Sequence, residues 1–217
     1  MADTKISDMT AMADGVLADA DEFAVADATA LTSDLSVTAL QLRAYLGTGL
    51  RNAATAAQSP AAATSTYLTG SNIAVPVGKL RVGTVFRWHL TYTKTAAGTA
   101  ARNFFIRIGT AGTTADTAVI TLLTEAGTAA TDVGHMIITM TVRGPLSASC
   151  IFAAGAAYSH NNSGTTGLSA TNEVGVLDVI SSAFDATTAN LIVGLSCTTG
   201  AAEVLTFDIV TVEAFNL

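Results

Sequence analysis

Between residues 80 and 123 the chain alternates large apolar and polar side chains with a period of two, broken only by glycine-rich turns. The stretch LRVGTVFRWHLTYT puts Val82, Phe86, Trp88, Leu90 and Tyr92 at even positions and Arg87, His89, Thr91 and Thr93 between them. After the turn KTAAGTAAR, NFFIRI repeats the parity with Phe104, Ile106 and Ile108 against Arg107, and AVITLL follows a second turn, GTAGTTADT. Successive side chains of a strand point to opposite faces, so this pattern predicts three half-buried strands.

The same reading extends down the chain. Residues 133–143 align Met136, Ile138, Met140 and Val142 before the break at Gly144-Pro145, and residues 146–154 align Leu146, Ala148, Cys150 and Phe152. Residues 174–180, 191–197 and 204–215 give three further strands, and a short one falls near 67–75. Eight or nine strands with turn signals between them, and no alternation with helices, predict an all-β body over residues 66–217, folded as an antiparallel sandwich or barrel. Cys150 and Cys197 fall at core parity, which favours two buried thiols over a disulfide. Without matching histidine spacing they make no zinc site.

Charge separates the chain into two parts. Residues 1–50 hold eight acids against Lys5 and Arg43, whereas residues 51–217 hold nine acids and eight bases, so most of the net charge of −7 sits at the front. No basic stripe exists to meet phosphates, which argues against nucleic acid as a partner. Charged residues are 12% of the chain and hydrophobic ones 50%. A surface so poor in charge and rich in Thr, Ala and Gly suits a protein that meets copies of itself. No run reaches the roughly 18 apolar residues of a membrane helix, and the first residues lack the pattern of a secretory signal. Neither a membrane nor the usual secretory route is expected.

Residues 1–47 form a small strand-and-helix segment by this reading. Ile6 and Met9 are isolated apolar anchors, Phe23 and Val25 share one face of a short alternating piece, and Leu42, Tyr45 and Leu46 form a stripe on a helix over 38–46. Thr38 and Gln41 suit a capping box there, and Gly47 the position past the helix end. Such a segment cannot bury its own apolar residues and needs a partner surface. The acids around Asp21 lack the glycine-turned loop of a calcium site. Residues 48–65, Ala/Thr-rich with one proline, are predicted to be a linker, with a helix over 51–58 as the alternative.

Two stretches carry a resemblance. KISDMTAMADGVLADADEFAVADA, followed by SVTALQLRAYLG, resembles the N-terminal segment of tailed-bacteriophage fibre and spike proteins. VGKLRVGTVFRWHLTYTKTAAGTAARNFFIRIGTAGTTADTAV and SSAFDATTANLIVGLSCTTGAAEVLTFDIVTVEAF resemble a β-rich module of phage structural proteins. The family segment often has a basic pair before its helix, where Thr32-Ser33-Asp34-Leu35 stands here. The resemblance implies a virion structural protein made in the host cytoplasm and carried on the virion surface. It would be a homotrimer of jelly-roll-like sandwiches, of capsid-decoration or head-fibre type. It would dock on a capsid or tail protein through Ile6, Met9, Phe23, Val25, Leu42, Tyr45 and Leu46. The alternative is a tail fibre or spike that recognises host surface glycan.

Nothing in the sequence specifies catalysis. There is no G-x-S-x-G elbow beside the three histidines His89, His135 and His160. The body's acids are sparse, and several adjoin Gly or Thr, where they stabilise turns. No enzyme, cofactor or metal is expected. The one stretch with sugar-binding chemistry is 158–168, YSHNNSGTTGL, where Tyr158, His160, Asn161, Asn162 and Ser163 could place an aromatic beside amides and hydroxyls.

Overall fold

In the computed structural model the chain divides into two compact units, Met1–Thr48 and Gly49–Leu217. The structure describes residues 22–25, 35–38, 50–95, 97–124, 126–160, 167–168, 175–187 and 190–217. In the first unit, β1 (Glu22–Val25) pairs antiparallel with β2 (Leu35–Thr38). The register sets Phe23 opposite Val37 and Val25 opposite Leu35. Of the helix expected over 38–46, Thr38 instead ends β2, and the remaining residues lie outside the described ones, as do Ile6, Met9, Leu42, Tyr45 and Leu46.

The second unit is an antiparallel β-sandwich. Its strands are β3 (Leu50–Ala53), β4 (Thr66–Tyr67), β5 (Ile73–Val75), β6 (Val85–Lys94), β7 (Asn103–Gly109), β8 (Thr117–Leu123), β9 (Asp132–Gly144), β10 (Ile151–His160), β11 (Gly175–Ile180), β12 (Leu191–Thr198) and β13 (Leu205–Phe215). One sheet runs β11-β10-β9-β6-β13-β3; the smaller runs β4-β12-β7-β8, with β5 also on β12. The chain crosses between sheets from β3 to β4, from β5 to β6, from β6 to β7, from β8 to β9, from β11 to β12 and from β12 to β13. Crossings of this kind are how jelly-roll-like sandwiches avoid long exposed edges.

The period of two explains the core. Phe86, Trp88, Leu90 and Tyr92 of β6 are sealed, as are Met136, Ile138, Met140 and Val142 of β9 and Phe104, Ile106 and Ile108 of β7. Each such side chain contributes about 1.5–3 kcal/mol over an exposed position. Tyr92, Phe104 and Phe207 bridge the two sheets, with ring centroids 5.3–6.2 Å apart. The Trp88 indole N–H donates to the Ser71 carbonyl at 2.7 Å, so burying it leaves no polar atom unmet. Both thiols are free and buried.

Three expectations are corrected. Of the linker expected over 48–65, residues 50–65 instead join the body and hold no helix over 51–58, because β3 pairs along β13 and Gln58 exchanges two backbone hydrogen bonds with Phe207. A Cβ at Gly70, whose φ is +77°, would collide with the backbone of Ala54, so this segment lies tight against the body. Val82 is 55% exposed, since a turn from Arg81 to Thr84 precedes β6. Finally, β10 begins at Ile151, leaving Leu146 exposed, and runs on to His160. Its Ala/Gly-rich run over 153–157 carried too little hydrophobic contrast to mark a strand.

Candidate functional site

The strand extension takes Tyr158 and His160 out of the expected glycan loop. Tyr158 lies in β10 opposite Met136 and is 6% exposed. His160, the last residue of β10, has a side chain 3% exposed, its Nδ1 2.8 Å from a carboxylate oxygen of Asp132. Neither offers a face to a sugar. Asn161, Asn162 and Ser163 lie outside the described residues.

His160 belongs to a buried ionic cluster at one end of the sandwich. Four inward rows of side chains end there in an ionisable group. Lys94 follows Tyr92 on β6, Arg102 precedes Phe104 on β7, Asp132 precedes Met136 on β9, and His160 follows Tyr158 on β10. The turn before β13 adds Glu203. The Arg102 guanidinium grips Glu203, with Nε donating at 2.7 Å and Nη2 paired to the same oxygen, while Nη1 donates to the Leu168 carbonyl. Lys94 Nζ donates to the carbonyls of Thr128 and Ala130 at 2.6 and 3.0 Å. Asp132 accepts from the backbone N–H groups of Val133 and Leu168. Burial pulls the Lys94 pKa down, opposed by the charge of Glu203. Burial, with Glu203 nearby, pushes the Cys197 thiol far up, away from reactivity. These groups tie the loops around 98–102, 124–132, 167–168 and 199–203 together. Their side chains are almost wholly buried and mostly partnered by one another or by backbone carbonyls and N–H groups, so among the described residues the cluster closes this end of the sandwich.

A second polar knot covers the outer face of the smaller sheet. Arg107 Nε donates to Ser196 Oγ at 2.7 Å, and its Nη1 to the carbonyls of Thr114 and Asp116. Asp116 in turn accepts from the N–H groups of Ala111, Gly112 and Thr113. The Tyr67 hydroxyl packs over Gly194, where a Cβ would strike it. Burial, reinforced by Asp116 and opposed by Arg107, raises its pKa to about 12. Asp116 is thus the turn-stabilising acid expected from its neighbours, and its geometry is that of a backbone fold.

The outer face of the six-stranded sheet is different, because nothing from this unit covers it among the described residues. Its side chains are the odd positions of β6 and β9 and their partners on β13, β10, β11 and β3. A shallow cleft of about 210 Å³ at its middle is lined by Arg87, His89, Ile137, Thr211 and Glu213. His89 and His135 meet edge to face across β6 and β9, their ring centroids 4.7 Å apart. Desolvation and then the neighbouring His89 depress the His135 pKa. Arg51 pairs with Glu213 at 3.0 Å, and the Arg87 guanidinium lies over the Phe215 ring. Ile137 is 39% exposed, and Val133, Ile180 and Ile209 stand open beside it on this face. Sequence parity placed His89 on the outer face; what it could not show was which residues of distant strands would join it. Among the described residues no group of three or more His, Cys, Asp or Glu side chains is arranged to hold a metal ion.

No protein-family model matches the chain, and neither does any curated protein sequence.

Proposed function

We propose that this chain is a non-enzymatic structural protein of a tailed-phage virion, a homotrimer of capsid-decoration or head-fibre type. In this reading residues 1–47 dock on a capsid or tail protein, and the sandwich is displayed on the virion surface. The observation that carries it is the contrast between the sandwich's surfaces. The smaller sheet and the ionic end are closed by their own side chains, whereas the six-stranded sheet presents a broad, thinly charged face suited to protein contact. The acidic front unit, distinct from the body, and the resemblance of both parts to phage structural proteins agree with an anchor joined to a displayed domain. The glycan-recognition alternative loses support, since Tyr158 and His160 are interior residues.

Immunogold labelling of phage particles from the culture carrying this gene tests the reading, using antibody raised against the chain. Regular labelling of heads or tails is expected. Particles free of label, with the chain soluble in the lysate, would overturn it. Release of reducing sugar from host polysaccharide by the purified chain would overturn the non-enzymatic part.

A further inference from the structure

The register defines five rows across the outer face of the six-stranded sheet, the shortest being Thr206–Thr93–Val133. One row, Arg51–Glu213–Arg87–Thr139–Gly155–Asp178, holds most of the face's charge. Beside it, Ala53–Thr211–His89–Ile137–Ala157–Val176 carries no carboxylate, lysine or arginine. The flanking rows are Phe215–Val85–Thr141–Ala153–Ile180 and Ile209–Thr91–His135–Ser159. Of the eight large apolar residues exposed among those described, four (Val133, Ile137, Ile180 and Ile209) stand on this one face. Small and β-branched residues make it flat enough to pack closely against another flat surface.

The charged row is asymmetric. Its β11 end carries Asp178 and its β3 end carries Arg51, whose side chain is 71% exposed. Rotation about an axis parallel to the strands keeps every row at its own height. A second copy related by such an axis therefore brings its Arg51 level with Asp178 of the first. The area is also sufficient. Six strands about 4.8 Å apart and roughly ten residues long at about 3.3 Å per residue span on the order of 900 Å², close to the ~800 Å² per partner of a standard stable interface.

We propose that copies of this chain pack against one another through the outer face of the six-stranded sheet, the β11 end of one sheet meeting the β3 end of the next. This names the contact surface of the self-assembly proposed above and rests on that reading. Any rotation axis parallel to the strands makes this contact, and a three-fold axis gives the homotrimer proposed above. Ile137 sits at its centre, and the Asp178–Arg51 contacts fix its direction.

Light scattering of the full chain at one fixed concentration tests this. The unaltered protein, Ile137→Lys, Asp178→Lys and the control Val77→Lys, which alters an exposed apolar residue away from the face, would be compared. The expected result is a multimer for the unaltered chain and for Val77→Lys, and a monomer for Ile137→Lys. Asp178→Lys should weaken assembly several-fold at low salt and less at high salt, as an interface charge pair does. Far-UV circular dichroism and the emission of buried Trp88 verify that each variant is folded. An unaltered chain that is monomeric would overturn both the face and the assembly. A multimeric Ile137→Lys would overturn the face and leave assembly standing, and loss of assembly in Val77→Lys would overturn the claim that this face is the specific one.

Discussion

Arg102→Ala should unfold more of the stability of the body than any other single charge removal. Both partners are interior, with side chains 1% and 0% exposed for Arg102 and Glu203. Truncation leaves the Glu203 carboxylate buried without its counter-charge and takes a charged donor from the Leu168 carbonyl. Breaking a buried pair in this way costs about 3–5 kcal/mol, against a total of about 5–15 kcal/mol for a domain. With a urea m-value of about 2 kcal/mol/M, the midpoint should fall by about 1.5–2.5 M. The assay is equilibrium urea unfolding followed by fluorescence of Trp88, the one tryptophan, which is fully buried. Protein concentration is held constant because assembly contributes to apparent stability. The double variant Arg102→Met with Glu203→Met is the decisive partner. Removing both charges removes the desolvation penalty, so it should recover most of the loss. A single variant losing under about 1 kcal/mol would show that the pair is not desolvated. A double variant no better than the single would show that packing and the Leu168 bond, not the orphaned charge, set the cost.

Other outcomes follow from separate features. Gly109→Ala should cost roughly 1–3 kcal/mol in the same urea assay, because its Cβ would displace the Asp116 carboxylate from the three N–H groups it satisfies. Cys150 and Cys197 should be silent to a thiol reagent in the native protein and react as two per chain in guanidinium, since burial raises both thiols; rapid native labelling would refute their burial. His135 gives an acid dependence. Its folded pKa lies below the ordinary value of 6.5, so the unfolded chain binds the proton more readily. Stability is fully present above that value and falls as pH drops from about 6.5 through the depressed folded pKa. The melting temperature should decline over that window, and His135→Gln should flatten the decline; an identical slope in the variant would remove His135 as the cause.

The core was legible because β6, β7 and β9 alternate with strong contrast and a one-residue slip would turn every large side chain to solvent. β3 was not. Its residues LRNA alternate only between half-buried and exposed, and an edge strand held by Arg51, Asn52 and its pairing to β13 leaves little hydrophobic signature. The ionic end could have been read. Lys94, Arg102, Asp132 and His160 all continue the inward parity of their strands, and charged residues at core parity announce a buried network. Their mutual proximity came only with the fold, because Arg102 and Glu203 are 101 residues apart. The outer face was hidden for the same reason, since its rows draw one residue from each of as many as six strands.

The place of β13 sets the timing of folding in the cell. This strand is the last of the body in chain order, yet it lies inside the six-stranded sheet between β3 and β6. At about 5–20 residues per second, the ribosome adds the roughly 120 residues between β6 and the end of β13 over on the order of 6–24 s. Until then the Phe86–Trp88 strand has a bare flank, and the six-stranded sheet cannot complete its rows. In the proposed assembly a nascent chain would therefore lack the surface through which finished copies join, and neighbouring ribosomes on one message would be kept from linking their half-made products.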